Sequence, residues 1–475
     1  MTHFRHLDVA QLVKGYAERA FTPVDVIEDC LDRARTCDRS LNAFLHFSDA
    51  DALQAAEASR RRWAEARPLG ALDGVPVSVK DNLHVAGMPT TWGSALMRGF
   101  VATQDEAPVA RIRAAGAVLF AKTSLPEFAM QGYTTNALKG TTYNPFDVSL
   151  TPGGSSGGAA AAVAAFCGPL ALATDGGGSI RRPASHCALV GFKPSAGLVK
   201  RRGGLPEIFL SHEVVGGIGR NVADVAGFTE ILAGQQLAAA SNRVRILYLP
   251  SFSDAPVDPG IAVAVARAAQ RFEAMGHIVE TRASFDLPDE INSLWPQLSA
   301  IGLAWLFEDG TRWPELGLRR GSQPDPMMCG EAARAALQEG RSAGATVLFN
   351  LVSAIERLER RLDTLFSSYD AILTPATAAL PWPADRPYPE KIAGQAVGPR
   401  GHAVFTAIAN AAGLPALALP CGWVSKLPTG FQLFGPKGAD AAVLALGREY
   451  EQNFPVEAPV AEAGPHHGGH REQSE

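Results

Sequence analysis

The amino-acid sequence predicts an α/β protein, and three observations support this class. Short apolar runs typical of strands alternate with longer stretches of helical periodicity, and the order strand, helix, strand is typical of an α/β sheet. Hydrophobic residues make up 47% of the 475 residues, which is enough for a sizeable core. The 47 glycines and 33 prolines also predict many turns.

The first third of the chain predicts helices and then a strand that ends at a lysine. Apolar side chains recur at helical spacing over residues 7–37, where Thr22 before a proline is typical of a helix N-cap. Residues 49–66 predict another helix. Residues 74–79 alternate as a strand does, and this strand places Lys80 at its end.

The middle of the chain continues this alternation. Residues 107–115 predict a helix and residues 117–121 a short buried strand. Residues 140–158 are rich in Gly, Pro, Ser and Thr, so they predict a loop, from which an alanine-rich helix over 159–165 begins. Residues 170–174 predict a strand that is followed by a glycine turn.

The last part of the chain is largely helical in pattern from residue 258 to 366, and residues 369–374 and 414–420 predict late core strands. We expect residues 1–455 to form a single domain. Residues 456–475 are polar and predict a disordered tail. Three histidines lie close together in this tail, but the surrounding Gly and Pro favour disorder over a metal site: His466, His467 and His470.

Composition and charge exclude several classes of protein. The net charge is −5, and the 43 basic and 48 acidic residues are spread along the chain, so no nucleic-acid partner is expected. No stretch of about 18 uninterrupted apolar residues predicts a membrane span. The N-terminus shows no secretory pattern, and the six cysteines form no CxxC pair. These observations predict a cytoplasmic protein with reduced thiols.

Two serines lie in glycine-rich segments, Ser155 within residues 151–158 (TPGGSSGG) and Ser179 within residues 174–181 (TDGGGSIR). Successive glycines leave backbone N–H groups bare and can aim several of them at one point, as a tetrahedral oxyanion requires. A serine hydroxyl needs a base to become a nucleophile. Lys80 is a candidate, because burial at the end of an apolar strand disfavours the charged ammonium and lowers its pKa.

These segments resemble the amidase signature family. The resemblance covers most of the chain and keeps the order and spacing of the motifs, which are found at residues 77–82, 121–128, 134–145, 151–158, 174–181, 191–195 and 413–416. It implies a fold with a central mixed β-sheet flanked by helices. It also implies that Ser179 is the nucleophile, that Ser155 on a cis peptide bond passes the proton on, and that neutral Lys80 is the base.

Further roles are expected for residues near the nucleophile. The backbone N–H groups of the three glycines before Ser179 are expected to hold the oxyanion: Gly176, Gly177 and Gly178. Asp175 and Arg181 are expected to brace this turn. Met130 and Gln131 match a substrate-lining loop, and Arg182 is a candidate for meeting an anionic substrate group, with an ordinary surface or supporting arginine as the alternative.

Residues 285–345 are less regular and are expected to cover the entrance and help select the substrate. This segment carries aromatic side chains that predict either helical core or a rim over the pocket: Trp295, Trp305, Phe307 and Trp313. We therefore expect an aryl or otherwise hydrophobic amide as the substrate. No metal or organic cofactor is expected, since the relay supplies nucleophile, base and oxyanion donors. A homodimer would be unsurprising for the family.

The predicted reaction is hydrolysis of a carbon–nitrogen bond in a linear amide, and aryl esters, anilides or carbamates (urethanes) are further candidate substrates. One alternative is a glutamine-hydrolysing A-type subunit of a tRNA-dependent amidotransferase, which would need partner subunits and a carboxylate-binding arginine such as Arg334 or Arg341. A second is an α/β-hydrolase-like esterase using Ser155 in a GxSxG pattern and a histidine, although residues 144–152 make a poor preceding strand. A third is a non-catalytic binding protein that kept the fold.

Overall fold

The computed structural model describes residues 4–237, 243–309, 313 and 323–456. Its centre is a mixed sheet of 11 strands with helices around it, which confirms the predicted class. The strands are β1 Phe44–Phe47, β2 Pro76–Lys80, β3 Val118–Thr123, β4 Thr135–Asn136, β5 Gly140–Thr141, β6 Leu170–Asp175, β7 Val190–Lys193, β8 Val214–Gly219, β9 Arg245–Tyr248, β10 Ile278–Thr281, β11 Ala371–Pro375, β12 Lys391–Ile392, β13 Gln395–Ala396, β14 Ala416–Val424 and β15 Leu427–Phe434.

The helices follow the predicted periodicities closely. They are α1 Val9–Ala17, α2 Pro23–Leu41, α3 Asp49–Ala64, α4 Ala107–Ala114, α5 Gly157–Ala164, α6 Arg181–His186, α7 Val222–Ala233, α8 Pro259–Ala274, α9 Asp289–Glu308, α10 Glu331–Ser342, α11 Ala345–Phe366, α12 Ala407–Ala411 and α13 Asp440–Asn453. The helical pattern over 7–37 and the N-cap predicted at Thr22 are both confirmed. Thr22 caps a new helix there, with its side chain accepting from the Asp25 N–H, so α1 and α2 are separate.

The sheet order is β1-β3-β2-β6-β8-β7-β14-β15-β11-β9-β10, with β4–β5 and β12–β13 as separate two-stranded sheets. Strands β3, β2 and β6 run parallel, and the next pairs from β6 to β11 are antiparallel. Strand β10 lies parallel to β9 at the far edge. It interrupts the stretch 258–366, which the sequence predicts as largely helical.

The parallel pair of β2 and β6 decides where the chemistry lies. Val77 is paired with Leu170 and Val79 with Leu172, so both strands end at the same edge of the sheet. Lys80 ends β2, and Asp175 ends β6 just before the second serine turn. Two residues that are far apart in sequence therefore emerge side by side because of strand register alone.

Helix α5 brings the first serine turn to this edge. All eight of its residues are buried, and apart from Val163 they are only glycine and alanine, so its backbone can approach the sheet closely. A Cβ added to Gly158 would come within 2.5 Å of the backbone nitrogen and oxygen of Ser124. We infer that only glycine fits there, because the approach is between two backbones and neither can move without disturbing the sheet.

The structure can be compared with the predictions about thiols, membrane spans and metal sites. All six cysteines are buried and form no disulfide, as reduced thiols would. Within the described ranges, none of the helices has the length and apolar character of a membrane span. The same ranges contain no grouping of three His, Cys, Asp or Glu side chains suited to a metal, and the tail histidines lie outside them. A homodimer in the cytoplasm stays a prediction.

Candidate active site

Lys80 lies buried at the end of β2 with its ammonium nitrogen facing two oxygen-bearing side chains. The Nζ atom is 2.8 Å from Ser155 Oγ, 2.9 Å from Thr174 Oγ1 and 3.3 Å from the Thr174 carbonyl oxygen. A charged ammonium donates to all three atoms. A neutral amine has two N–H groups for Thr174 and a lone pair that can accept the Ser155 hydroxyl proton. The geometry therefore suits both protonation states.

Burial lowers the pKa of Lys80 from 10.5 to about 7, against the opposing influence of the negative charges of Glu213 and Asp175. A lysine in this range is partly neutral at physiological pH. Burial also lowers the pKa of Lys193 to about 7, but that ammonium donates to the Pro194 carbonyl at 2.8 Å and has no serine partner among the described residues. Contact with Ser155, rather than the pKa, distinguishes Lys80.

Ser155 follows a cis peptide bond, and its loop is hydrogen-bonded to the turn that carries Ser179. The Gly154–Ser155 peptide bond is cis, which confirms what the family resemblance implies. The next residue, Ser156, joins the two serine turns, because its N–H donates to the Ser179 carbonyl at 3.2 Å and its hydroxyl donates to the Thr174 carbonyl at 3.2 Å. The two serine turns are thus one hydrogen-bonded unit.

Ser179 stands between β6 and α6 and lines a cavity of about 720 Å³. Its hydroxyl makes no hydrogen bond to any residue in the described part of the chain, so it is available to a substrate in that cavity. The preceding residue, Gly178, has φ +110°, and a Cβ there would lie 2.3 Å from Thr406 Oγ1. The turn that presents Ser179 therefore requires glycine both for its backbone conformation and for its packing.

Asp175 organises the turn with its carboxylate. The Oδ1 atom accepts from the N–H groups of Gly177 at 3.2 Å and Gly178 at 2.6 Å. These two amides are already engaged, which differs from their predicted use by an oxyanion. The N–H groups of Gly176 and Ser179 are the ones in this turn with no acceptor among the described residues. The N–H groups of Gly176 and Ser179 are therefore the remaining candidates for binding the oxyanion, and this role stays a prediction.

Arg181 pairs with Asp175 in full burial. The Nη2–Oδ1 distance is 2.9 Å, and the guanidinium also donates to Asn410 Oδ1 at 2.6 Å and Gln432 Oε1 at 2.9 Å. Burial alone would raise the pKa of Asp175, but the charge and hydrogen bonds of Arg181 hold that pKa well below its ordinary value. These contacts give the predicted bracing role its physical basis.

The cavity beside Ser179 is formed from several parts of the chain. Met130 and Gln131, predicted from the family resemblance, and Arg182, the candidate for meeting an anionic substrate group, are all among its lining residues. Helices α9 and α10, within the segment predicted to cover the entrance, line it as well. Those two helices contribute Asn292, Ser293, Trp295, Pro296, Ser299, Ala300, Ala332, Ala335, Ala336 and Glu339.

The aromatic side chains of that segment divide between core and cavity. Phe307 is fully buried in the core. Trp305 is 39% exposed and stacks edge-on against Trp313. Trp295 is buried, lines the cavity, and donates its indole N–H to the Gly176 carbonyl at 3.0 Å. The sequence could not decide between core and cavity rim for these four aromatic residues, whereas the structure assigns each of the three described above to its own position.

Some residues at the site are not identified from sequence. Thr174 accepts hydrogen bonds from Lys80. It lies in the second glycine segment, and its position just before Asp175 could have identified it as a site residue. Thr406 donates to the Gly177 carbonyl at 2.7 Å, and Arg400 and His402 line the cavity. These three lie more than two hundred residues after Ser179 in an irregular stretch, where no local pattern marks them.

The structure also bears on the two catalytic alternatives. Ser155 has a lysine partner, and His186, the histidine nearest the serine turns in sequence, points its Nε2 at the Ala379 carbonyl, 3.1 Å away. An esterase that uses Ser155 and a histidine is therefore not supported. Arg334 and Arg341, considered as carboxylate ligands for glutamine, are not among the described residues lining the Ser179 cavity.

The fold and the site together define a class of α/β protein in which a buried lysine meets paired serine turns beside a substrate-sized cavity. The family model described as Amidase matches residues 25–444. The chain therefore belongs to the amidase signature family and is an enzyme of the carbon–nitrogen hydrolase type.

Individual relatives agree with this placement. A protein of Symbiobacterium thermophilum, named as the A-type subunit of glutamyl-tRNA(Gln) amidotransferase, is 32% identical over 476 residues, which covers 94% of this chain and 96% of the relative. A crystal structure of an amidase superposes with a TM-score of 0.85 at 30% identity, covering 94% of this chain and 100% of the other. A bacterial aryl acylamidase gives 0.83 at 25% identity, covering 95% and 96%.

Proposed function

We propose that the protein hydrolyses the carbon–nitrogen bond of a small or medium amide through an acyl-enzyme on Ser179. The observation that carries this proposal is the 2.8 Å contact between Lys80 Nζ and Ser155 Oγ, next to the turn that presents Ser179. A pKa of about 7 lets Lys80 act as a base near neutral pH. In the proposed relay, Ser155 carries the proton between the nucleophile and this base.

The proposed reaction proceeds in two balanced halves. The Ser179 hydroxyl attacks the carbonyl carbon and passes its proton to Ser155, whose own proton moves to neutral Lys80. The tetrahedral intermediate collapses, the carbon–nitrogen bond breaks, and the proton returns through Ser155 to the leaving nitrogen. Water then attacks the acyl-enzyme by the same relay and releases the acid. No step requires an oxidant or an additional group.

We assign the oxyanion to the N–H groups of Gly176 and Ser179. The amides of Gly177 and Gly178 support the turn through Asp175 rather than facing outward. The indole N–H of Trp295 holds the Gly176 carbonyl with a hydrogen bond of 3.0 Å. Donors that are held in place before the substrate arrives stabilise the developing charge without having to reorganise.

The cavity supports an aryl or otherwise hydrophobic substrate. Its volume of about 720 Å³ is within the usual range for drug-sized ligands, and Phe209 and Trp295 are aromatic parts of its wall. The aryl acylamidase among the solved structures is consistent with this choice. Anilides are therefore our first candidates, followed by aryl esters and aryl carbamates, which share the acyl-transfer step.

The test compares the parent enzyme with Ser179→Ala and with the matched control Ser367→Ala, whose serine is exposed just after the end of α11. Release of 4-nitroaniline from an anilide and of phenol from an aryl ester would be measured, with intact-mass spectrometry for the acyl adduct. We expect release and adduct only where Ser179 is present. Equal release by the parent and Ser179→Ala would refute the assignment.

A second candidate is a glutamine-hydrolysing subunit of an amidotransferase. The 32% identity to a protein bearing that name over nearly the whole chain favours it. Ammonia release from glutamine, measured with and without amidotransferase partner subunits, separates the two candidates. Glutamine hydrolysis that depends on a partner would favour the second candidate, whereas Ser179-dependent anilide turnover by the chain alone would favour the first.

A further inference from the structure

Two guanidinium groups in the wall of the Ser179 cavity lack the partners that buried charges normally have. Arg182 is 4% exposed, and its Nη2 donates to the Gly154 carbonyl at 3.3 Å, but its Nε and Nη1 are buried with no hydrogen bond to the described residues. Arg400 is half-buried, and its Nε and Nη2 are likewise buried without a hydrogen bond. Both residues line the cavity.

Other buried arginines of the protein show what a satisfied guanidinium looks like. Arg181 pairs with Asp175, and Arg201 pairs with Glu106 at 2.5 Å and Glu213 at 2.6 Å. A buried charge without a partner is destabilising, so a protein that pairs its arginines elsewhere has a reason to leave two unpaired in one cavity. A ligand that supplies the missing negative charge is such a reason.

The electrostatics of the cavity point the same way. Burial lowers the pKa of Arg182 to about 9, with the neighbouring charge of Arg400 adding to the effect, and burial lowers the pKa of Arg400 to about 10. Glu339 is the one carboxylate among the described lining residues, and it is exposed on α10. Burial and the same arginines keep the pKa of His402 well below its ordinary value. The wall therefore attracts anions.

The two guanidiniums also flank the reacting serines. Arg182 is attached to the carbonyl of Gly154, the residue before Ser155. Arg400 Nη1 lies 3.8 Å from the position that a Cβ on Gly177 would take, beside the turn that presents Ser179. An anion held by both groups would thus be only a few bonds from a carbonyl carbon at Ser179.

We propose that Arg182 and Arg400 form an anion subsite, and that the enzyme prefers amides carrying a carboxylate a few bonds from the scissile carbonyl. This inference rests on the proposed hydrolase function and specifies its substrate class. The carboxylate belongs either to the acyl part or to the leaving amine, and both present the same group to the same guanidiniums. A zwitterion is a poorer fit, because its ammonium finds only the exposed Glu339.

The first experiment measures binding without turnover, by calorimetry on Ser179→Ala. The probes are succinamate against neutral butanamide for the acyl side, and N-acetylglycine against N-propylacetamide for the amine side. We expect at least one anion to bind roughly tenfold or more tightly than its neutral match, since hydrogen bonds to charged groups are about twice as strong as neutral ones. Higher salt should reduce this preference.

The same measurement on arginine variants tests the assignment. Arg182→Gln and Arg400→Gln, each in Ser179→Ala, should lower anion affinity roughly tenfold and leave the neutral probes unaffected. The control Arg98→Gln removes an exposed arginine outside the cavity and should change neither. Three outcomes would each overturn the inference. They are equal binding of anionic and neutral probes, no binding of either anion up to its solubility, and full anion affinity in both arginine variants.

Turnover by the parent enzyme separates failure of the subsite from failure of the proposed function. Ser179-dependent turnover with the same kcat/KM for succinamate and butanamide, and for N-acetylglycine and N-propylacetamide, would leave the hydrolase standing and remove the subsite. Arginine-dependent anion binding without Ser179-dependent release from any amide would keep the subsite and remove the hydrolase. Thermal unfolding adds a second readout, since replacing Arg400, whose buried Nε and Nη2 have no hydrogen bond to the described residues, should not lower Tm.

Discussion

The protonation state of Lys80 gives the sharpest prediction. With a pKa of about 7, only about a tenth of the lysine is neutral at pH 6 and about nine-tenths at pH 8. If the neutral amine is the base, kcat/KM should rise about tenfold between these values and then level off. A lysine with its ordinary pKa of 10.5 would instead give an increase of about a hundredfold over the same range, continuing to pH 10.

The perturbation that tests this reasoning is Glu213→Gln. Glu213 is the first of the negative charges that favour the ammonium form of Lys80, so its neutralisation should lower the pKa and move the rising limb to lower pH. Glutamine can still accept the hydrogen bond that Asn82 donates to Glu213 Oε1. Glu28→Gln removes an exposed carboxylate on α2 and serves as the control.

The assay is the pH dependence of kcat/KM for an anilide, which reports the free enzyme. Chemistry must be rate-limiting, which a comparison of two leaving anilines of different pKa establishes. A flat profile between about pH 6 and 9 would exclude Lys80 as the base. A rising limb that Glu213→Gln leaves in place, or moves to higher pH, would show that the electrostatic account of Lys80 is wrong.

Two further predictions concern the turn that presents Ser179. Asp175→Asn should destabilise the protein by about 3–5 kcal/mol in urea unfolding, because Arg181 keeps its buried charge without a counter-ion. Asp254→Asn, at an exposed site, is the control. Equal urea midpoints for Asp175→Asn and the parent protein would contradict the prediction. Trp295→Phe should keep the ring packing but lose the bond to Gly176, with about 1 kcal/mol of stability lost and a lower kcat for anilides; an unchanged kcat would show that this bond does not position the turn.

Local patterns in the sequence predict much of the site because the motifs are short and their chemistry is local. The glycine segments place Ser155 and Ser179 in turns, and the strand before Lys80 explains both its position and its burial. The contact between Lys80 and Ser155 also depends on the pairing of β2 with β6 and on the packing of α5 against the sheet, which strand periodicity alone does not specify. The family resemblance supplies that step.

The rest of the site could not be predicted because it depends on packing between distant segments. In the sequence, Gly177 and Gly178 are as suitable for oxyanion binding as Gly176, whereas in the fold the side chain of Asp175 occupies their N–H groups. Arg400 stands in an irregular stretch, where neither periodicity nor a motif marks a functional residue. Its significance comes from missing hydrogen bonds, which are a property of the folded surroundings and have no counterpart in the sequence.

The bond from Trp295 to Gly176 has a consequence for protein engineering. Helix α9 shapes the substrate cavity and, through this indole, also holds the backbone of the nucleophile turn. The helix is therefore not an exchangeable cassette, and a graft from a relative would carry its effects into the rate of the chemical step. Libraries aimed at new substrates should keep Trp295 fixed and vary the neighbouring cavity positions Asn292, Pro296 and Ser299.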